Sequence, residues 1–276
     1  MKNFGFIGFG SMGKMLAEKS IETGALRPEQ VTITRKDAAR LEEVKKSLPG
    51  IITTESIAEL TVSCDVIFIC VKPADFREVL LQMKPYITGQ KHIISIAGTV
   101  SIANIESILS CKISKVMPTL LTEVKEGITL VCHNSLVTAE DAALIDGMLQ
   151  KIGKVKPIAE EDYALTTELT SCAPGFFAAL FREYCAAAQR HSDSITREEI
   201  EEITLQTLQG TLILMLEKKM GFEEVVTRVA TKGGITEEGV KVIREHLPAV
   251  FDEMFDRTLE KRVRVAEKIS KDFERI

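Results

Sequence analysis

From residue 4 to about residue 157, short apolar runs alternate with amphipathic stretches. The runs cover residues 4–7, 31–34, 66–71, 92–96, 113–117 and 128–132; most are β-branched and bounded by Gly, Pro, Asn or Asp. They predict strands. Between them, residues 11–23, 38–47, 75–83 and 101–109 carry apolar positions at helical spacing. Near-continuous apolar strands alternating with helices predict a parallel sheet covered on both faces.

After about Glu160 the strand signals stop. Residues 174–190, 196–217, 222–230, 236–246 and 249–269 all read as helices. Thr196 with Glu199 three residues on forms a capping-box pattern, and Thr236 precedes Glu237 and Glu238, which suit a first turn. The chain therefore reads as an α/β protein in two parts. Residues 1–158 are expected to form the α/β domain and residues 159–276 an all-helical one. The stretch from Leu205 to Leu216 is apolar nearly all round at its end, so a second chain is expected to cover it.

The first strand runs into Gly8-Phe9-Gly10-Ser11-Met12-Gly13, a G-x-G-x-x-G turn that opens a helix. Gly8 permits the tight turn, Gly10 admits a pyrophosphate, and Gly13 lets the helix pack close to the strand. The helix start, with Ser11 and Met12, offers N–H groups and a positive dipole end to phosphates. A site for NAD(H) would place a carboxylate at the end of the second strand. Here that position reads Thr34-Arg35-Lys36. Hydroxyl, guanidinium and ammonium suit a 2′-phosphate, so NADP(H) is expected, with NAD(H) as the alternative.

Composition narrows the class. The chain has 276 residues, 45% of them hydrophobic and 27% charged, with a net charge of −5. Both signs are interspersed, so there is no basic footprint for nucleic acid or an anionic membrane. No apolar run approaches a membrane span. The N-terminus lacks the order of a signal peptide, so a cytoplasmic location is expected. The six cysteines contain no C-x-x-C pair and the four histidines are scattered. Neither a disulfide framework nor a metal site is expected.

Further marks lie along the chain: Val71-Lys72-Pro73 at the end of a strand, Ser95-Ile96-Ala97, Met117-Pro118, and Gly233-Gly234 followed by Thr236. In this order the chain resembles pyrroline-5-carboxylate reductase over essentially its whole length. The resemblance implies a Rossmann domain, a helical dimerisation domain, and NAD(P)H-dependent reduction of 1-pyrroline-5-carboxylate to proline. The expected partners are a cyclic imino acid and a second copy of the chain, as a homodimer or higher oligomer. Backbone groups of Val71, Lys72, Pro73, Ala97, Met117 and Pro118 are expected to frame the nicotinamide. Gly233 and Gly234 are expected to offer bare N–H groups to the substrate carboxylate, with Lys232 adding charge. The Thr236 hydroxyl is expected at the ring nitrogen. Glu168 and Glu217 lie in charged helical patterns and read as structural.

The chain also departs from that family. Met-Pro-Asn-Thr-Pro is replaced by Met117-Pro118-Thr119-Leu120-Leu121, and Ser-Gly-Ser-Gly-Pro-Ala-Tyr by Thr170-Ser171-Cys172-Ala173-Pro174-Gly175-Phe176. Thr231-Lys232 stands for the usual Ser-Pro, and Ile235 follows Gly234 where many members have Thr. This drift is similar to that of reductase-like proteins encoded near late-competence genes in Gram-positive bacteria. It leaves a weakly catalytic or non-catalytic, dinucleotide-binding regulatory protein of competence or sporulation as the alternative. The first turn also resembles 3-hydroxyisobutyrate dehydrogenases, but the lysine those enzymes carry early in the helical domain is missing from residues 166–172.

Overall fold

The structure, a computed structural model, describes residues 2–274. Its first part runs β1 (Phe4–Ile7), α1 (Ser11–Glu22), β2 (Val31–Thr34), α2 (Ala38–Ser47), β3 (Ile52–Thr54), α3 (Ile57–Ser63) and β4 (Val66–Ile69). It continues α4 (Pro73–Met83), β5 (His92–Ser95), α5 (Ile102–Glu106), β6 (Lys112–Met117), β7 (Ile128–His133), α6 (Ala139–Gln150) and β8 (Lys154–Pro157). The strands make one sheet in the order β3-β2-β1-β4-β5-β6-β7-β8. The first strand thus lies inside the sheet, between β2 and β4.

The expected parallel sheet is found except at one place. β6 and β7 pair antiparallel, because residues 118–127 between them are too few for a crossover helix and the chain must double back. Four elements of this first part were not foreseen: β3, α3, α6 and β8. β3 has only three residues and is not fully buried, so its apolar signal is faint. α6 is introduced by a Thr138–Asp141 capping box that hydropathy alone overlooks.

Successive strand residues feed opposite faces of the sheet. Phe4, Phe6, Val66 and Phe68 join the core beneath α1, α2 and α6. Ile7, Ile67 and Ile69 join the core on the other face, with α3, α4 and α5. Phe6 and Phe68 stack with ring centroids 4.9 Å apart on neighbouring strands. Both faces are covered, which is why these strands read as unbroken apolar runs.

The last strand ends at Pro157, and all later elements are helical: α7 (Tyr163–Thr167), a π-helical turn (Glu168–Cys172), α8 (Ala173–Gln189), α9 (Arg197–Lys218), α10 (Phe222–Val229) and α11 (Ile235–Glu274). The break expected before Pro248 does not occur, and α11 runs for 40 residues with Pro248 inside it. The proline ring deprives the Arg244 carbonyl of its donor, a local cost that the long flanking helices absorb. Compactness divides the chain into two units. One holds the residues up to Cys172 together with those from Leu259 on, and the other holds Ala173–Thr258. The last part of α11 belongs with the sheet because Ile269 enters its core.

At the strand ends away from the glycine turn, the buried His92 and Ser114 form a chain with the half-buried His133. His92 Nε2 lies 2.7 Å from Ser114 Oγ, and Ser114 Oγ lies 2.7 Å from His133 Nδ1. A hydroxyl has one hydrogen, so it donates to one ring and accepts from the other. Burial pushes the His92 imidazole down from 6.5 to about 4 and lowers His133 as well. The unfolded chain therefore binds a proton between these values that the folded chain refuses. Stability is full above pH 6.5 and falls as the pH drops towards 4, by up to about 3 kcal/mol from His92. Melting temperatures measured from pH 4 to 8 should show this slope, and His92→Gln should flatten it.

Candidate dinucleotide site

The turn after β1 is shaped by two contacts that leave no room for a side chain. Gly8 has φ +91°, and a Cβ there would lie 3.0 Å from the Cys70 carbonyl. A Cβ on Gly13 would lie 2.6 Å from the Gly8 carbonyl oxygen. Gly10 differs, since a Cβ there would meet nothing within 4 Å. The protein itself does not use that space. Gly10 is the N-cap of α1, with no side-chain cap and no acidic residue in the first turn. The opening N–H groups of Ser11, Met12 and Gly13 have no intrahelical acceptor, and the dipole end is positive. This is an anion seat with open space in front of it.

A cavity of about 510 Å³ opens beside the turn. Gly8, Gly10, Thr34, Arg35, Lys36, Val71 and Lys72 all line it, so seven of the sequence-selected residues come together. Thr34 is buried, Arg35 half-buried and Lys36 exposed. The carboxylate that follows them is occupied. Asp37 caps α2, with its Oδ1 accepting from the Arg40 N–H at 3.3 Å. Lys36 Nζ lies 3.7 Å from Asp75 and 3.9 Å from Glu78 on α4. Arg35 has no ion pair or hydrogen bond among the described residues. Cys70 also lines the cavity, where burial pushes its thiol far above its ordinary range and keeps it neutral.

Asp75, Glu78, Val79 and Gln82 line the same cavity and were not foreseen. They recur at helical spacing on one face of α4, which was the available signal. Glu55, from the short β3–α3 connection, and Ile57, at the start of α3, carried none.

The other marks follow the same sheet edge. Lys72 is the N-cap of α4 and Pro73 its first residue. Ile69 pairs with Ser95, so the chain after β4 and the chain through Ala97 leave the sheet side by side. Met117 ends β6 and Pro118 follows. These are the carboxyl ends of the parallel strands, where open α/β sheets receive ligands.

Lys232, Gly233, Gly234 and Thr236 belong to the second unit, between α10 and the first turn of α11. Here the structure corrects an expectation. The Gly233 N–H donates to Glu237 Oε2 at 2.8 Å, and the Gly234 N–H donates to the Thr231 carbonyl at 2.8 Å. Neither group is bare. The chain supplies its own carboxylate four residues on, within reach across one helical turn. α11 begins at Ile235, so Thr236 lies in the first turn rather than at the cap. Its side chain is exposed.

Comparison with known proteins agrees with this geometry. Residues 3–99 match the family model described as NADP oxidoreductase, coenzyme F420-dependent. Residues 160–265 match the pyrroline-5-carboxylate reductase dimerisation model. The chain is 36% identical over 272 residues to pyrroline-5-carboxylate reductase 3 of Bacillus subtilis, covering 98% of this chain and 99% of that protein. The chain belongs to the pyrroline-5-carboxylate reductase family. It is also 28% identical to ComE operon protein 4 of the same organism, covering 92% of this chain and 93% of that protein. A crystal structure of Plasmodium falciparum pyrroline carboxylate reductase with NADP bound shares the fold, with a TM-score of 0.82 at 23% identity. That match covers 97% of this chain and 98% of the other. The family supports an oxidoreductase with a nicotinamide dinucleotide cofactor and a homo-oligomeric assembly. Among the described residues, no helix is long and apolar enough to cross a membrane.

The residues fit a dinucleotide: a glycine with unused space at a helix start, beside a cavity of about 510 Å³ that carries a free guanidinium. Two substitutions separate fold from binding. Gly13→Ala drives a Cβ into backbone and should cost about 1–3 kcal/mol of stability, read as a lower melting temperature. Gly10→Ala should leave the melting temperature unchanged and weaken NADPH binding at least about tenfold, or about 1.4 kcal/mol, read by fluorescence titration.

Proposed function

We propose that this protein is an NADPH-dependent reductase that converts 1-pyrroline-5-carboxylate to L-proline in the cytoplasm. The observation that carries the reading is the unpartnered Arg35 at the end of β2, beside the phosphate turn and with Asp37 committed to a helix cap. A guanidinium fork there matches a 2′-phosphate. A bound nicotinamide would supply a hydride to the imine carbon, and the ring nitrogen would take up the electron pair and carry a proton.

The chain's own part in this reading is placement. The α1 N–H groups hold the pyrophosphate. The backbone around Val71, Lys72, Pro73, Ala97, Met117 and Pro118 frames the nicotinamide end. The exposed Thr236 hydroxyl hydrogen-bonds the ring nitrogen, and Lys232 adds positive charge that attracts an anionic substrate. Gly233 and Gly234 shape this turn, and Glu237 must release the Gly233 N–H before a ligand takes it.

The same reading makes the protein a homodimer built by its helical unit. Only Ala173, Cys185, Ile200 and Met220 are buried among residues 173–258. Leu205, Leu212 and Leu216 are 66%, 54% and 76% exposed. A channel of about 640 Å³ between α8 and α9 is walled by Phe177, Phe181, Leu205, Leu208 and Leu212. A helical layer this apolar needs a second layer over it.

A dinucleotide-binding regulator with little or no turnover is the second reading. It is favoured by the carboxylate of Glu237 on the Gly233 N–H and by Leu120 and Leu121 after Pro118.

NADPH oxidation with pyrroline-5-carboxylate separates the two. Slow but measurable turnover is expected, and Thr236→Ala should lower it roughly tenfold or more, about 1–3 kcal/mol, without changing NADPH affinity. Tight NADPH binding with no turnover in the parent protein would favour the regulator. Arg35→Glu should weaken NADPH roughly ten- to a hundredfold, about 1.5–3 kcal/mol, and NADH much less. Equal losses for both cofactors in parallel titrations would remove the 2′-phosphate assignment.

A further inference from the structure

The cavity beside the glycine turn carries more acid than base. Three cations line it, Arg35, Lys36 and Lys72, against four carboxylates, Asp37, Glu55, Asp75 and Glu78, so the lining has a formal charge of −1. A 2′-phosphate brings roughly two further negative charges near pH 7. NAD(H) brings none at that position. The difference between the two cofactors is therefore electrostatic, and it is decided by groups within a screening length of about 8 Å.

The four carboxylates are not equivalent. Asp37 is committed to the cap of α2. Glu55 lies between β3 and α3 and is exposed. Asp75 and Glu78 stand about one turn apart on α4 and reach the same cation. Lys36 Nζ lies 3.7 Å from Asp75 Oδ1 and 3.9 Å from Glu78 Oε2. Gln82 Nε2 donates to Glu78 Oε1 at 3.2 Å, so both oxygens of that carboxylate are engaged. The side chains of Lys36, Asp75 and Glu78 are 72%, 46% and 62% exposed. Ion pairs this wet add little to the fold. Their effect is local: of the two adjacent cations at the end of β2, Lys36 is held by α4 and Arg35 is free among the described residues.

We propose that Asp75 and Glu78 are specificity-determining residues that limit the preference for a 2′-phosphorylated dinucleotide. They hold Lys36 and set two negative charges against the incoming phosphate, which leaves Arg35 to draw it in. This assignment rests on the dinucleotide reading of the cavity and not on the imine reaction. Neutralising the two carboxylates releases an ammonium and removes repulsion. Both changes favour a doubly charged phosphate, and neither acts on an uncharged ribose hydroxyl. An ion pair that instead strapped the bound adenosine in place would, when cut, loosen both cofactors alike.

The test is fluorescence titration of the full-length protein with NADPH and NADH. The informative variant is Asp75→Asn/Glu78→Gln, which removes both charges and keeps volume and polarity. At low salt it should bind NADPH about fivefold more tightly than the parent, and NADH within about twofold of it. The gain should shrink in high salt, because it is a charge effect between exposed groups. Lys36→Gln should cost more NADPH affinity in the double variant than in the parent, since only there is the ammonium released. Asp75 lies in the first turn of α4. Should its loss lower the melting temperature, Glu78→Gln alone still carries about a twofold gain. Calorimetry with adenosine 2′,5′-bisphosphate and 5′-AMP repeats the comparison on the adenosine half alone. An unchanged NADPH affinity, or equal changes for NADPH and NADH, would overturn the proposal. A parent that binds neither cofactor would overturn it together with the dinucleotide reading. NADPH binding without imine reduction would refute the reductase alone.

Discussion

The constraint on which the rest depends is the approach of the β1–α1 turn to the strand beside it. Gly8 and Gly13 bring helix, turn and β4 within a spacing that a single added methyl would close to 2.6 Å from a backbone oxygen. That spacing sets α1 with its N-terminus over the middle of the sheet. β1 lies between β2 and β4, so the turn is flanked on one side by Arg35 and on the other by Val71 and Lys72. The cavity is the space those three strand ends leave. Gly10, whose missing side chain the fold does not need, is the one position in the turn whose emptiness serves a ligand alone.

Charge around that cavity is allocated rather than merely positive. Asp37 satisfies the start of α2, and Asp75 and Glu78 sit opposite Lys36. At the end of β2 the Arg35 guanidinium is left without a counter-ion among the described residues. A carboxylate free to meet a ribose hydroxyl would favour NAD(H), and an arginine left free favours the extra phosphate. The same economy holds in the second unit with the opposite outcome. There the chain's own Glu237 takes the N–H group that a glycine turn would otherwise hold open. A backbone seat filled by a tethered carboxylate is harder for an external one to enter, because the internal ligand carries no association cost.

Arg262 and Lys115 show how buried cations are managed in the sheet unit. Lys115 lies 2.9 Å from Glu160 and 4.1 Å from the centre of the Tyr163 ring, so its charge is met on two sides. Glu160 Oε1 also accepts from the Ile102 N–H at 2.9 Å. That cluster ties α5, β6 and the start of the helical half together, with the Tyr163 hydroxyl buried and without a partner. Arg262 is met on one side by Glu168 Oε1 at 2.8 Å, and Glu168 Oε2 is buried without a partner.

The sequence by itself determined the α/β class, the glycine turn, the cation at the end of β2 and the helical second half. Those features are local: a strand's burial is written in four consecutive apolar residues, and a phosphate turn in the spacing of Gly8, Gly10 and Gly13. The tertiary structure decided what no local pattern carries. Whether Arg35 is free depends on where Asp37 points and on α4 supplying carboxylates to Lys36. Whether the Gly233 N–H is bare depends on the rotamer of Glu237. The reversal of β7 depends on a connection too short to cross over. Glu168 reads as one more charged helical residue until α11 returns Arg262 from 94 positions away. Solvation and pairing belong to neighbours in space, and the chain order of those neighbours leaves no periodic trace.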